Sequence, residues 1–143
     1  MGEAPGASED VLGQPFVGPA GALLDRIIAK ALRGRKVAIA FTNLVACIPL
    51  GEDGAKTAEP SLESIEACRD RLIEFAKIAQ PRAVVCVGKL ASKYLPYINP
   101  LLTETITHIT HPAAILRAKE EQQGLLIQTC TVTISDLLTD LGF

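Results

Sequence analysis

Ala83-Val84-Val85-Cys86-Val87-Gly88 is an unbroken apolar run closed by a glycine. A short run of this kind, rich in β-branched residues, reads as a strand buried on both faces, which is the habit of parallel sheets covered by helices. Gly88 predicts the turn out of that strand into a helix through Leu95. Upstream, Ser61 caps a helix with Glu63 and Ser64 in its first turn and Ile65, Leu72, Ile73, Ala76 and Ile78 on its inner face; it stops near Pro81. Residues 50–60, with Gly51, Gly54 and Pro60, read as an irregular loop. Leu23, Leu24, Ile27, Ile28, Ala31 and Leu32 space a helix from Pro19 to Arg33, and Lys36–Phe41 is a short apolar strand ended by Thr42-Asn43. Downstream, Thr105–Ile109 predicts another strand. His111-Pro112 leaves it for a mostly helical remainder, although Thr129-Cys130-Thr131-Val132-Thr133-Ile134 favours strand locally. Strand and helix in alternation mean an α/β fold: a three-layer sandwich with a short central parallel sheet and helices on both faces.

At 143 residues the chain is expected to form a single domain, 1–143, with a sizeable core. Gly2-Glu3-Ala4-Pro5-Gly6 reads as the loop after a first strand, yet no strand precedes it. The expectation is therefore an N-terminally truncated domain or a sheet one strand short. No apolar run approaches a membrane span, and Met1 is followed by a Gly/Pro-rich polar turn, so the chain reads as soluble and cytoplasmic. A net charge of −2 and a pI near 5.7 argue against a long nucleic-acid footprint, but not against an enzyme that grips a few phosphates. The basic clusters Arg33-Arg35-Lys36 and Arg117-Lys119 read as solvated surface.

Of the four cysteines, Cys86 and Cys130 read as inert packing. Cys47 and Cys68 stand at element boundaries, where an intracellular chain does not favour a disulfide. As a pair they are a weak metal signal.

Three segments carry the chemistry. Gly2-Glu3-Ala4-Pro5-Gly6, Phe41-Thr42-Asn43-Leu44 and His111-Pro112-Ala113-Ala114 supply an acid, an amide and an imidazole, each where a strand gives way to a loop. In an open α/β sheet such strand ends face one crevice. Each residue also has a plainer reading: Asn43 as an Asx-type cap, His111 as the cap of a Pro-started helix, Phe16 as core, and Glu3, Glu9 and Asp10 as caps or solvated loop residues.

In order along the chain, Gly2–Gly6, Glu9-Asp10 and Gly13-Gln14-Pro15-Phe16-Val17-Gly18 are similar to the first motif of the family 4, iron–sulfur, uracil-DNA glycosylases. Thr42-Asn43-Leu44-Val45-Ala46-Cys47-Ile48-Pro49 resembles that family's strand-end asparagine with a following cluster cysteine. Glu63–Cys68 resembles the stretch with the next one, Val84–Gly88 the central strand, and His111–Arg117 the late His-Pro motif.

The resemblance implies a uracil-DNA glycosylase-like sandwich that hydrolyses the N-glycosidic bond of uracil in single- or double-stranded DNA, as a monomer. It implies Glu3 against the base pocket and Glu9 near the attacking water, with the choice of activating acid open and Asp10 a third candidate. Phe16 would stack on the base, Asn43 would read its edge, and the His111 ring would donate to uracil O2 as negative charge grows. Backbone amides at Ala4 and Gly6 would approach base or phosphate, and Arg117 a phosphate. A [4Fe–4S] cluster is implied for a full-length form. Cys47 and Cys68 are only two of the four thiolates it needs, so here it is expected to be absent or incomplete. Two other readings stand beside this one: a catalytically degenerate DNA-binding or structural domain of the same fold, and a small α/β phosphate-binding module. Phe16, Asn43 and His111 together favour the glycosylase over the last, since a phosphate cradle needs none of them.

Overall fold

The computed structural model describes residues 1–54, 58–97 and 103–143. Its elements in chain order are α1 (Ala7–Leu12), α2 (Pro19–Leu32), α3 (Leu62–Ala67), α4 (Arg69–Ala79), β1 (Val84–Val87), α5 (Lys89–Tyr94), a 3₁₀ turn (Leu95–Tyr97), β2 (Ile106–Ile109), α6 (Pro112–Arg117) and α7 (Glu120–Asp140). β1 and β2 pair in parallel, Val84 opposite Ile106 and Val87 opposite Ile109. Among the described residues no helix is long and apolar enough to cross a membrane.

Side-chain alternation along β1 builds two cores. Val84 and Cys86 pack with Leu44, Leu72 of α4 and Ala91 of α5, while Val87 packs with Leu24 and Ile27 of α2, Ile115 of α6 and Ile134 and Leu138 of α7. The sheet therefore lies between two helical layers, as the sequence pattern requires.

Two more segments extend it through backbone bonds. The Met1 amine donates to Val85 O at 2.8 Å, and Val87 N–H donates to Met1 O at 2.8 Å. On its other side Gly2 donates to Thr42 O and accepts from Leu44 N–H, both at 2.9 Å, in a parallel bridge to Asn43. The order across the layer is thus residues 42–44, residues 1–2, β1, β2, all running the same way.

Three expectations need correction. The strand expected over Lys36–Phe41 is not a strand: among the described residues, 36–41 make no backbone hydrogen bond, and Ile39 is 46% exposed. An extended segment becomes a strand only when a neighbour pairs with it. The single helix expected after Ser61 is two, interrupted at Cys68 (φ −88°, ψ −4°), although Ser61 caps it as expected, its Oγ accepting from Ser64 N–H at 3.1 Å. Ile78, assigned to the inner face, is 79% exposed, because two residues past Ala76 is about 200° around the helix. Of the expected 50–60 loop, residues 55–57 lie outside the described residues; a turn bonds Gly54 N–H to Gly51 O.

The Thr-rich tract is helical despite its local β preference. Thr129, Thr131 and Thr133 each donate a hydroxyl to the carbonyl four residues back, at 2.9, 2.8 and 2.9 Å. Cys130, Ile134 and Leu138 meanwhile form a buried stripe with helical spacing. Tertiary packing outweighs strand propensity here.

Arg35, read from sequence as solvated surface, is a clamp. Its guanidinium donates to Ala31 O, Leu32 O and Phe143 O and to the hydroxyls of Ser135 and Thr139, between 2.9 and 3.4 Å. It satisfies carbonyls at the end of α2 and ties them to the end of α7. Arg35→Ala should cost about 1.5–3 kcal/mol, the usual range for a hydrogen bond to a charged group. Arg35→Lys should recover little, since an ammonium lacks the planar fork. Thermal unfolding of the three proteins checks this.

Candidate active site

The parallel order of the four segments aligns their carboxyl ends, and the residues singled out from sequence stand along that edge. Asn43-Leu44 leaves the outer segment, Glu3-Ala4 leaves the segment beside it, Gly88 leaves β1, and Thr110-His111 leaves β2. This is the crevice side of an open α/β sheet.

Gly2 is the hinge of the arrangement. A Cβ placed on it would lie 2.5 Å from Asn43 Oδ1 and 2.6 Å from the Phe16 ring, so only glycine lets these two side chains close over the backbone. Asn43 is 8% exposed. Its backbone carbonyl accepts from Arg71 at 2.6 Å, and Arg71 also donates to the Thr42 hydroxyl at 3.2 Å. The Phe16 ring also packs tilted against Phe41, centroids 5.6 Å apart. Phe16 itself has φ +58°, an unusual value for an aromatic residue. The turn is held by α2: a Cβ on Gly21 would overlap the Phe16 carbonyl.

Glu3 is half-buried, and desolvation, then the nearby Glu59 carboxylate, push its pKa above the usual 4.5. Glu9, the second acid, is a loop clamp. Its two carboxylate oxygens accept from Gly6 N–H at 3.1 Å and Gly18 N–H at 2.9 Å. Gly6 N–H, expected to approach a ligand, is therefore already engaged by Glu9, whereas Ala4 N–H has no protein acceptor among the described residues. Asp10 is exposed in the first turn of α1.

His111 caps α6. Its Nδ1 accepts from Ala113 N–H at 3.1 Å, which assigns the ring proton of the neutral form to Nε2. The ring lies over Gly88: a Cβ there would sit 3.1 Å from His111 Cβ and 3.3 Å from Cδ2. Burial, then the Arg117 charge, lower the imidazole pKa below 6.5. His111 is therefore a neutral ring with one N–H to donate. Arg117 is exposed in the last turn of α6, and His108 lies exposed on β2, one residue before its end.

All four cysteines are free thiols. Cys47 is exposed, Cys68 is half-buried between α3 and α4, and Cys86 and Cys130 are buried. Cys86 faces the α4–α5 core and Cys130 the α2–α7 core, where its thiol points to Thr110 O at 3.9 Å. Among the described residues no three His, Cys, Asp or Glu side chains come together as a metal set. The thiols of this chain do not by themselves fit a four-thiolate cluster.

Sequence reading missed Arg71, Glu59 and the contact of Gly88 with His111. Gly88 was legible as a turn, but nothing local ties Arg71 or Glu59 to residues about 30 and 56 positions away, since only the fold brings them together.

The family model of the uracil DNA glycosylase superfamily matches residues 1–131. The type-4 uracil-DNA glycosylase of Pyrobaculum aerophilum is 40% identical over 136 residues, covering 82% of this chain and 66% of that protein. That of Sulfurisphaera tokodaii is 36% identical over 122 residues (85% and 53%), and that of Archaeoglobus fulgidus 33% over 109 residues (76% and 52%). The chain thus spans between 52% and 66% of the length of these relatives.

The environment of His111 has a measurable consequence. Its NMR titration midpoint should fall below 6.5, and Arg117→Ala should raise it only part of the way, burial being the larger cause. Because the unfolded chain binds this proton first, His111 should reduce stability as pH falls from 6.5 to the folded-state midpoint, with no further loss below it. A midpoint at or above 6.5 in the folded chain would contradict the burial described.

Proposed function

We propose that this chain, which belongs to the uracil-DNA glycosylase superfamily, hydrolyses the N-glycosidic bond of uracil in DNA and so initiates base-excision repair. The observation that carries the reading is the convergence of Asn43, Glu3 and His111 on one sheet edge, with Phe16 folded over Gly2 beside Asn43. The names of the relatives, type-4 uracil-DNA glycosylases, support it.

The target nucleotide leaves the base stack and enters the crevice, and this costs least in single-stranded DNA. Phe16 stacks on the flipped base, and Asn43, able both to donate and to accept, pairs with uracil O4 and N3. The N1–C1′ bond breaks with its electrons moving onto the base. His111 Nε2–H donates to O2 as charge collects there, and its neutral state suits a donor that keeps its proton. The deoxyribose is left with cationic character at C1′, stabilised by the Glu3 carboxylate. A water oriented by the same carboxylate adds to C1′ and passes a proton to that carboxylate, giving an abasic site. The base departs as the uracil anion and takes up a proton from solvent, while Glu3 returns its proton to solvent. Glu9 keeps the loop in shape, and Ala4 N–H and Arg117 serve base or phosphate. The chain acts as a single domain and a monomer in the cytoplasm, on the nucleoid when bound. A [4Fe–4S] cluster belongs to a form with four thiolates, Cys47 and Cys68 among them, and no step here runs through it.

Single-turnover release from uracil, cytosine and thymine oligonucleotides tests the reading. Uracil should leave single strands at least as fast as duplex, and His111→Ala should slow the chemical step by about two orders of magnitude. Asn43→Asp should alter base choice, because a carboxylate repels uracil O4 but accepts from cytosine N4. Activity should rise with pH as Glu3 ionises, with an acid-limb midpoint above 4.5, and Glu59→Gln should move that midpoint down by removing a like charge. Uracil release at the parent rate by both His111→Ala and Asn43→Asp would overturn the assignment. A parent chain that binds DNA without releasing uracil would favour the degenerate DNA-binding reading.

A further inference from the structure

The Asn43 side chain is buried, yet among the described residues its amide makes no hydrogen bond of its own. Its Oδ1 lies over Gly2, beside the Phe16 ring. An oxygen fits so close a seat, whereas an NH2 group brings two hydrogens and needs more room. With no bond of its own, the amide takes its direction from that seat and from the backbone that carries it.

That backbone is an edge. The bonds to Gly2 come from Thr42 O and Leu44 N–H, the residues on either side of Asn43. In a parallel ladder the residue between two such positions turns its own N–H and C=O the other way. Among the described residues no backbone group pairs with Asn43 on that side. Arg71, near the start of α4, takes the place of a strand there. Its Nη2 donates to the Asn43 carbonyl at 2.6 Å and its Nη1 to the Thr42 hydroxyl at 3.2 Å, and that hydroxyl donates to the same carbonyl at 3.5 Å. A planar fork can span both oxygens at once, which an ammonium cannot do as well. Among the described residues no carboxylate pairs with Arg71, so its charge is directed at a neutral carbonyl in a short bond. Leu72, the next residue, is buried in the same apolar cluster as Leu44, which fixes α4 against this segment.

We propose that Arg71 is a positioning residue for base choice: by fixing the peptide plane after Asn43, it keeps Oδ1 seated over Gly2 and so sets which way round the amide meets the base. The proposal rests on the glycosylase reading of the site. Uracil offers an acceptor at O4 and a donor at N3, which call for an amide N–H at the first and the amide oxygen at the second. The same amide turned over presents its oxygen to position 4 and its N–H to N3. That is the pattern cytosine matches, with a donor at N4 and an acceptor at N3. The amide's orientation is therefore the difference between the two bases, and a carbonyl free to tilt would let Oδ1 leave its seat.

Arg71→Ala, Arg71→Lys and Thr42→Val, set against the parent chain, test this in two measurements. The first needs no activity: the NMR order parameter of the Asn43 side-chain amide should be high in the parent, fall in Arg71→Ala, and lie between in Arg71→Lys and Thr42→Val. Should Arg71→Ala not fold, the two milder variants carry the same comparison. The second is single-turnover release from short single strands holding uracil or cytosine. At saturation Arg71→Ala should slow uracil release about tenfold or more, the cost of a misplaced contact, and raise the ratio of cytosine to uracil release, with the half-saturating strand concentration little changed. An Asn43 amide as ordered in Arg71→Ala as in the parent would overturn the proposal. So would an unchanged rate with weaker strand affinity and a shallower salt dependence, since the exposed Arg71 would then be a phosphate contact. If the parent releases no uracil, the glycosylase reading falls by itself. The relative affinities of the parent and Arg71→Ala for the two strands then decide base choice, an unchanged preference overturning it.

Discussion

The structure depends on the way its first two residues are stitched between two neighbours. Met1 exchanges hydrogen bonds with Val85 and Val87, and Gly2 with Thr42 and Leu44. These bonds are what make the 42–44 segment part of the same layer as β1 and β2, with the carboxyl ends in line. Without that alignment Asn43 and His111 would belong to unrelated parts of the surface. Gly2 serves twice, as a rung of the layer and as the spot where Asn43 and Phe16 close, and its missing Cβ makes both roles compatible.

The supports around the edge are of different kinds. Phe16 is held in a left-handed conformation by α2 pressing against its carbonyl, and Glu9 ties together the two ends of the loop that carries it. Asn43 is held through its backbone by Arg71, so its side-chain amide is not consumed in holding its own place. His111 spends Nδ1 on the α6 cap, which leaves Nε2–H as the donor of the neutral ring. The acid and the imidazole are perturbed in complementary directions: burial keeps the imidazole neutral and makes the Glu3 carboxyl easier to protonate. Such opposed shifts in one crevice accompany functional sites more often than structural ones.

Much of this was legible in the chain. β1 and β2 followed from apolar runs within a residue of their observed limits, and α2 and the Ser61 cap from spacing and cap chemistry. Legibility ended where pairing partners decide. Residues 36–41 have strand composition but no backbone partner, and the Thr-rich tract of α7 has strand composition but a helical set of contacts. The three segments named from sequence meet on one edge. Of the two roles that reading offered Glu9, a part in the chemistry or a cap, the structure shows the second, its oxygens accepting from Gly6 and Gly18. Arg35, given to solvent, joins two helices through its guanidinium. Side chains that act on backbone from far along the sequence leave no local pattern.

The central claim is that Gly2–Ala4, Asn43, Gly88 and His111 form one surface for a flipped base. Amide and imidazole chemical shifts, followed as a short single strand carrying 2′-fluoro-deoxyuridine is added, test it most directly, because the fluorine slows cleavage while leaving the base intact. The account predicts that the largest shifts cluster at these four places and saturate together, and that a thymine strand of the same length leaves them weaker. Shifts confined to other surfaces, with Asn43 and His111 unmoved at saturation, would contradict it.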